Sequence, residues 1–373
     1  MKTFIKLSTS VLALTVAALT ANLSFADDMD YSGETLYTQT NGLKNQVLAY
    51  QLNRWGDVVN SQHYDTGGKG TAAGLGNQDA LAVSRDQRFL FAINAGSNDV
   101  SVFRVTHKGL VLTDRAMEMG MKPVSISVHD DLVYVANAGD DSIFGFKFDS
   151  KKGKLKPMKN SHRKLGGMAT GVADIQFDKD GDTLVITEKA ANKITSVTLN
   201  DDGLPVNIMS INSTGNTPFG FAFGKRGQLF VSNAEGGAAN ASTVSAYKLK
   251  ESGKLEPIGN AVAAGQTAAC WLVTTPNGRM AFTANTPADS ISTFAIDKTG
   301  HPRLLMPQAA TASKPTDLAI SRDGDMLYSL NNGDNSIGIY RVSRSGEIIP
   351  MAPITNIPAG ATGLVSMETQ WNW

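Results

Sequence analysis

At 373 residues, with 34 basic and 34 acidic side chains and a formal charge of zero, the chain lacks the basic footprint of a nucleic-acid binder. Its one cysteine, Cys270, excludes an intramolecular disulfide, a zinc cluster of thiolates and a haem-attachment motif, and Ala268, Ala269 and Trp271 around it read as the setting of a buried apolar thiol. The histidines His63, His107, His129, His162 and His301 form no cluster, so neither a metal site nor a cofactor is expected.

The chain opens with Lys2 and Lys6, an apolar run from Val11 to Leu19, and Ser24-Phe25-Ala26 ahead of Asp27. That is the pattern of a secretory leader over residues 1–26, which places the remainder, 27–373, in the periplasm or the medium. The apolar run is far shorter than the roughly 18 to 20 residues that cross a bilayer, so no membrane anchor is expected.

From Leu36-Tyr37 onward one unit recurs. It is clearest at Leu90-Phe91-Ala92-Ile93-Asn94-Ala95-Gly96 followed by Val100-Ser101-Val102-Phe103, and returns at Val133-Tyr134, Leu184-Val185, Leu229-Phe230, Ala281-Phe282 and Leu327-Tyr328. The spacing of about 43 to 54 residues falls in the range of propeller blades. An alternating strand precedes each copy, as Pro315-Thr316-Asp317-Leu318-Ala319-Ile320 precedes the turn Ser321-Arg322-Asp323-Gly324, and turns rich in Asn, Asp and Gly separate the strands that follow. Four short antiparallel strands per unit make a blade, and seven units make an all-β, seven-bladed β-propeller. The N-terminal copy lacks a first strand, while Ala361-Thr362-Gly363-Leu364-Val365-Ser366-Met367 has the first-strand pattern and no blade after it. The C-terminal strand is therefore expected to complete the N-terminal blade, which removes two unpaired sheet edges.

Two segments depart from the repeat: residues 67–76, rich in glycine, and residues 234–242, which lengthen one turn. Both are expected on the face where first strands begin and second strands end. The glycine-rich stretch is no phosphate loop, because neither a Gly-Lys-Ser/Thr run nor a helix follows it; a lid and a linker both stay open.

Aligning the copies names candidate ligands. The second strands end in Asn94, Asn137, Glu188, Asn233, Asn285 and Asn331, so Glu188 alone is ionisable there. Asparagine closes local turns as well as binding ligands. Glu188 reads either as an ion-pair partner of Lys189 or Lys193 or as a general acid or base in a central funnel. In the first strands, Ala80, Ser125, Asp174, Gly220, Trp271, Asp317 and Gly363 share one position. There Asp174 and Asp317 are ligand candidates, or staples to the backbone N–H groups of neighbouring blades. Lys122 and Lys314, each before a strand-opening proline, would draw an anionic ligand to the same face or simply be solvated.

Phe91-Ala92-Ile93-Asn94, Val133-Tyr134-Val135-Ala136-Asn137 and the Ser321-Arg322-Asp323-Gly324 turn resemble the YVTN-type repeats of the lactonase family of propellers, over residues 34 to 367. Ile186-Thr187-Glu188-Lys189, Thr217-Pro218-Phe219-Gly220-Phe221-Ala222-Phe223 and Gly265-Gln266-Thr267-Ala268-Ala269-Cys270-Trp271 resemble an exported bacterial branch of it. The resemblance implies a seven-bladed ring with a site on its axial face, and enzymes that open or form lactones without a tightly bound metal, as in 6-phosphogluconolactonases and carboxymuconate cyclases. The Pro-Arg-His segment of the 6-phosphogluconolactonases is missing. Thr217-Pro218-Phe219 and Ala268-Ala269-Cys270 stand in its place, so the family's catalytic His and Arg do not carry over. Two functions follow: a hydrolase or cyclase of a small lactone, anionic ones included, with Glu188 as acid or base, and a monomeric, non-catalytic exported propeller that binds a ligand or a protein partner through the same face.

Overall fold

The computed structural model describes residues 33–117, 119–167 and 169–369. The secretory-leader reading of residues 1–26 lies outside the described residues. Within them the chain forms seven antiparallel sheets, each built on four strands, named A to D from the axis outward and, in six of the seven, consecutive in sequence. Blade one runs Leu81–Val83, Phe89–Asn94, Asp99–Thr106 and Gly109–Met117. The A strands of blades two to six are Pro123–His129, Val172–Phe177, Pro218–Phe223, Ala269–Thr274 and Pro315–Ile320. Helix is limited, among the described residues, to the 3₁₀ turns Glu235–Gly237 and Thr286–Ala288.

Blade seven is closed as its two half-patterns require. Thr362–Glu368 supplies strand A and pairs antiparallel with strand B, Glu34–Gln39, with Tyr37 opposite Val365 and Thr38 opposite Leu364. The Thr35 and Thr369 hydroxyls lie 3.0 Å apart, joining positions 334 residues distant in sequence. Strands C and D, Gln46–Leu52 and Val58–Asp65, complete the blade.

Alternation along each strand sends apolar side chains into the spaces between blades. Phe148 of blade two meets Phe89 and Phe91 of blade one edge-on, at 4.8 and 4.9 Å between ring centroids. One continuous cluster runs through blades one to three, from Leu75 to Leu199. Each blade is thus a lid on its neighbour's core, and removing one such ring would cost about 3–5 kcal/mol.

Each lead-in to an A strand turns through a residue with positive φ: Gly76, Lys122, Gly171, Thr217, Ala268, Lys314 and Gly360. The corner is tied to the B–C turn of the preceding blade. Asn98 Oδ1 accepts from the Lys122 N–H at 2.8 Å, and Asp289 Oδ1 from the Lys314 N–H at 2.8 Å. These connectors and the B–C turns make up one face of the ring, the connector face; the A–B and C–D turns make up the other, the turn face.

Candidate functional site

The asparagines that end the B strands are structural. Each is buried and donates to hydroxyl or carboxylate groups on strand C: Asn94 to Asp99 at 2.6 Å and Ser101 at 2.8 Å, Asn137 to Ser142 at 3.3 Å, Asn233 to Ser245 at 2.6 Å, Asn285 to Ser292 at 2.8 Å and Asn331 to Ser336 at 3.1 Å. The connectors run directly over them, so a Cβ at Gly68, Gly120 or Gly215 would overlap Asn94, Asn137 or Asn233.

Glu188 fills the same slot in blade three, and the expectation that its carboxylate faces a funnel is corrected here. It is 1% exposed, accepts from the Thr195 hydroxyl on strand C, and that hydroxyl lies 2.7 Å from Ser210 on strand D. No ion pair joins it to Lys189 or Lys193 among the described residues, and its Oε2 is buried without a hydrogen-bond partner there. Glu188 ends strand B inside the wall of the ring, whereas the next residue already belongs to the B–C turn.

That next residue is Lys189. In the other blades the position holds Ala95, Ala138, Ala234, Thr286, Asn332 and Thr40. The repeat alignment therefore carried the signal one residue downstream of where the charge of Glu188 drew attention. The Lys189 side chain is half-buried, its ammonium donates to the Gly76 carbonyl, and it stands 4.6 Å over the Phe219 ring, whose neighbour Trp271 is 5.1 Å away. Burial is the main reason its pKa falls from 10.5 to about 8, with Lys122 adding a smaller push in the same direction. Cys270, adjoining, has its thiol pushed up to about 12 by burial. Lys122 and Lys314 are exposed corner residues of the same face.

The axis itself is closed by the end of the glycine-rich segment. After Gly76, the stretch Asn77-Gln78-Asp79 drops into the ring and bonds to five A strands other than its own. The Gln78 N–H donates to Ala173 O at 3.0 Å, Ile126 N–H to Asp79 O at 2.9 Å, and Trp271 Nε1 to Asn77 O at 2.7 Å. The Gln78 side chain donates to Phe221 O at 2.9 Å and accepts from Leu272 N–H at 3.0 Å, and the Thr362 hydroxyl donates to Asn77 Oδ1 at 3.4 Å. Gly220 makes the room, since a Cβ there would overlap Gln78 Oε1. Residues 67–79 are thus connector and plug, neither lid nor linker.

Below the plug the carboxyls meet. Asp79 and Asp174 are hydrogen-bonded to each other, and Gln176 Nε2 donates to both, at 3.0 and 3.2 Å. Two carboxyls in such contact hold a proton between them. Burial raises Asp79 to about 7; it raises Asp174 well above the usual range, the charge of Asp79 contributing next. Asp174 also accepts from Ser125 at 3.1 Å and from the Phe221 N–H at 3.2 Å, while Asp317 accepts from the backbone N–H groups of Leu318, Gly363 and Leu364 and is itself raised by burial. Both aspartates of the first-strand alignment thus staple their blade to the next through backbone N–H groups. A recess of about 380 Å³ opens from Asp79 to the turn face, walled by Gln78, Gln176, Phe223, Thr274 and Ile320. Lys189 and the Asp79 carboxyl therefore belong to opposite faces, with the plug between them.

A ring of seven four-stranded blades, its axis packed with polar side chains and plugged from one connector, defines the class of protein. The chain belongs to the lactonase, seven-bladed β-propeller family, whose model matches residues 23–167, 163–271 and 241–361. Among solved structures, a putative 6-phosphogluconolactonase from Bacteroides fragilis superposes with a TM-score of 0.71 at 19% identity, covering 90% of this chain and 98% of its own. The periplasmic gluconolactonase of Pseudomonas aeruginosa gives 0.71 at 18%, covering 89% and 99%. Hydrazine synthase of Kuenenia stuttgartiensis gives 0.59 at 17%, covering 82% and 94%. At these identities the superpositions establish the fold. A search of curated protein sequences finds no match.

Proposed function

We propose that this chain hydrolyses the ester bond of a small lactone on the connector face, with Lys189 as the group that stabilises the developing oxyanion. Membership of the lactonase family supports the reaction class. The observation that carries the site is the half-buried Lys189 ammonium, set at the axis between the Gly76 carbonyl and the Phe219 ring. Water adds to the lactone carbonyl carbon, the ring C–O bond breaks, the ring oxygen takes up a proton, and a hydroxy acid leaves. As negative charge builds on the carbonyl oxygen, an ammonium already stripped of part of its water donates to it without reorganising solvent. Phe219 and Trp271 supply an apolar wall for the ring of the substrate, and Lys122 favours substrates that carry an anionic group.

The test is hydrolysis of a panel of γ- and δ-lactones by the purified protein, after subtracting the spontaneous rate. Because Lys189 is the ammonium below about pH 8, enzymatic turnover falls as pH rises through that value. Lys189→Met abolishes turnover, and Lys189→Arg retains part of it while moving the alkaline limb upward. Wild-type turnover in Lys189→Met, or lactone binding by the wild-type protein with no hydrolysis, would overturn the proposal. The second result would leave a ligand-binding propeller.

A further inference from the structure

On the turn face, opposite the connector face that carries Lys189 and lined by none of the residues of the Asp79 recess, three turns of blades four and five converge. The A–B turn of blade four carries Lys225 and Arg226 and is closed by the Gly227 N–H donating to Gly224 O at 3.0 Å. That of blade five carries Asn277 and Arg279 and is closed by Gly278 N–H to Thr275 O at 2.8 Å; the C–D turn of blade five carries Asp297 and Lys298 and is closed by Gly300 N–H to Asp297 O at 3.2 Å. Together they enclose an open recess of about 830 Å³, lined by Lys225, Arg226, Asn277, Arg279, Asp297 and Lys298 with Ile296.

The charge in this recess is one-sided in a chain that is neutral as a whole. None of Lys225, Arg226, Arg279 and Lys298 takes part in an ion pair among the described residues. The one carboxylate of the lining, Asp297, is engaged within its own turn: Oδ1 accepts from Thr299 N–H at 2.8 Å, the Thr299 hydroxyl at 2.6 Å and His301 N–H at 3.0 Å, and Oδ2 lies 3.8 Å from His301 Nδ1, so its single negative charge stands against four positive ones. Asn277 likewise uses its Oδ1 on the Thr275 hydroxyl at 2.8 Å and Arg279 N–H at 2.9 Å, which leaves its amide N–H groups as donors. Arg226 is pre-set, since its Nη1 donates to the Lys298 carbonyl across the recess and fixes the plane of the guanidinium. Four cations and an amide donor, against one carboxylate, thus surround one volume.

We propose that this recess binds a small, multiply charged anion bearing phosphate-type groups. Two guanidinium forks match the paired oxygens of phosphate better than a single carboxylate, and the lysines add point charge. The volume falls within the range of roughly 300 to 1,000 Å³ of small-molecule sites, and the three bounding turns make it a concavity, unlike the open plane that a membrane surface would need.

Inorganic tripolyphosphate, titrated calorimetrically into the full chain, is the probe. One site is expected, its affinity falling steeply between about 0.02 and 0.15 M salt as screening sets in. Arg226→Ala combined with Arg279→Ala lowers affinity at least about tenfold, Arg226→Lys lowers it less, and neither moves the melting temperature, because both side chains are exposed. Binding is unchanged in Lys189→Met, and lactone turnover is unchanged in the Arg226/Arg279 double variant, so this proposal and the lactone site stand or fall apart. Absence of tripolyphosphate binding, undiminished binding in the double variant, loss of binding in Lys189→Met, or capture by anionic vesicles without binding of free tripolyphosphate would each overturn it.

Discussion

Replacing Asp79 by asparagine tests whether the axial carboxyl pair holds a proton. In the folded chain Asp79 titrates at about 7, against 3.8 for an unperturbed aspartate, and the first cause is burial. A raised acid means that between these values the native state binds a proton the unfolded chain has released. Stability is therefore fullest below about pH 4 as far as this group is concerned, declines as pH rises, and has lost the whole contribution above about pH 7. At about 1.4 kcal/mol per pH unit the loss approaches about 4 kcal/mol, an upper bound because Asp174 shares the proton. With an unfolding entropy of about 2.1 cal/mol/K per residue, that corresponds to roughly 5 °C in Tm. The Asp79→Asn substitution keeps a donor for Asp174 and removes the titration. Differential scanning calorimetry from pH 5 to pH 8 decides: the difference in Tm, variant minus wild type, grows more positive as pH rises, and titrating groups that do not touch Asp79 cancel in that difference. A difference that stays flat, or that grows more negative toward pH 8, would refute the shared proton.

Four further outcomes are expected. Deleting the chain from Ala361 onward strips strand A from blade seven and exposes the B-strand edge of Glu34–Gln39, giving aggregation or a large drop in Tm by light scattering and calorimetry. Gly220→Ala forces a methyl group into Gln78 Oε1 and destabilises the ring by about 1–3 kcal/mol in urea titration, whereas Gly360→Ala, with open space around its Cβ but a left-handed backbone, costs about 1 kcal/mol. Glu188→Gln keeps the Thr195 hydroxyl partnered and leaves lactone turnover within about twofold of wild type, in contrast to Lys189→Met. Intact-mass analysis of exported protein finds a chain that begins at Asp27; a mass that retains residues 1–26 would contradict the leader.

The architecture was legible because it is written seven times: a period of about 43 to 54 residues, turns rich in Asn, Asp and Gly, and an orphan first strand at the C-terminus leave one way to close the ring. The site was less legible, for two physical reasons. A repeat alignment ranks positions by how unusual a residue is, and it found Glu188, but a buried carboxylate that replaces an amide in a hydrogen-bonding slot is unusual without facing the axis. The contrast on which the proposed site rests lies one residue on, at Lys189 against Ala95, Ala138 and Ala234. The plug was illegible because Asn77, Gln78 and Asp79 belong to no repeat, and their partners, from Ile126 to Thr362, are found only once the ring has closed. Asp174 and Asp317, which share one first-strand position, make the bonds that the staple alternative describes, to the backbone of Phe221 and of Leu318, Gly363 and Leu364.

The plug has a consequence for how such a ring evolves. Propellers lengthen and shorten by duplicating or losing whole blades, and inter-blade packing alone tolerates either, because every blade meets an equivalent neighbour. Here one short stretch spans the bore and bonds to Ile126, Ala173, Phe221, Leu272 and Thr362 on five different blades. An eighth blade would widen the bore beyond the reach of Gln78, and a sixfold ring would leave no room for it. Residues 77–79 therefore act as a gauge of circumference: a change in the number of blades would break their bonds to several blades at once.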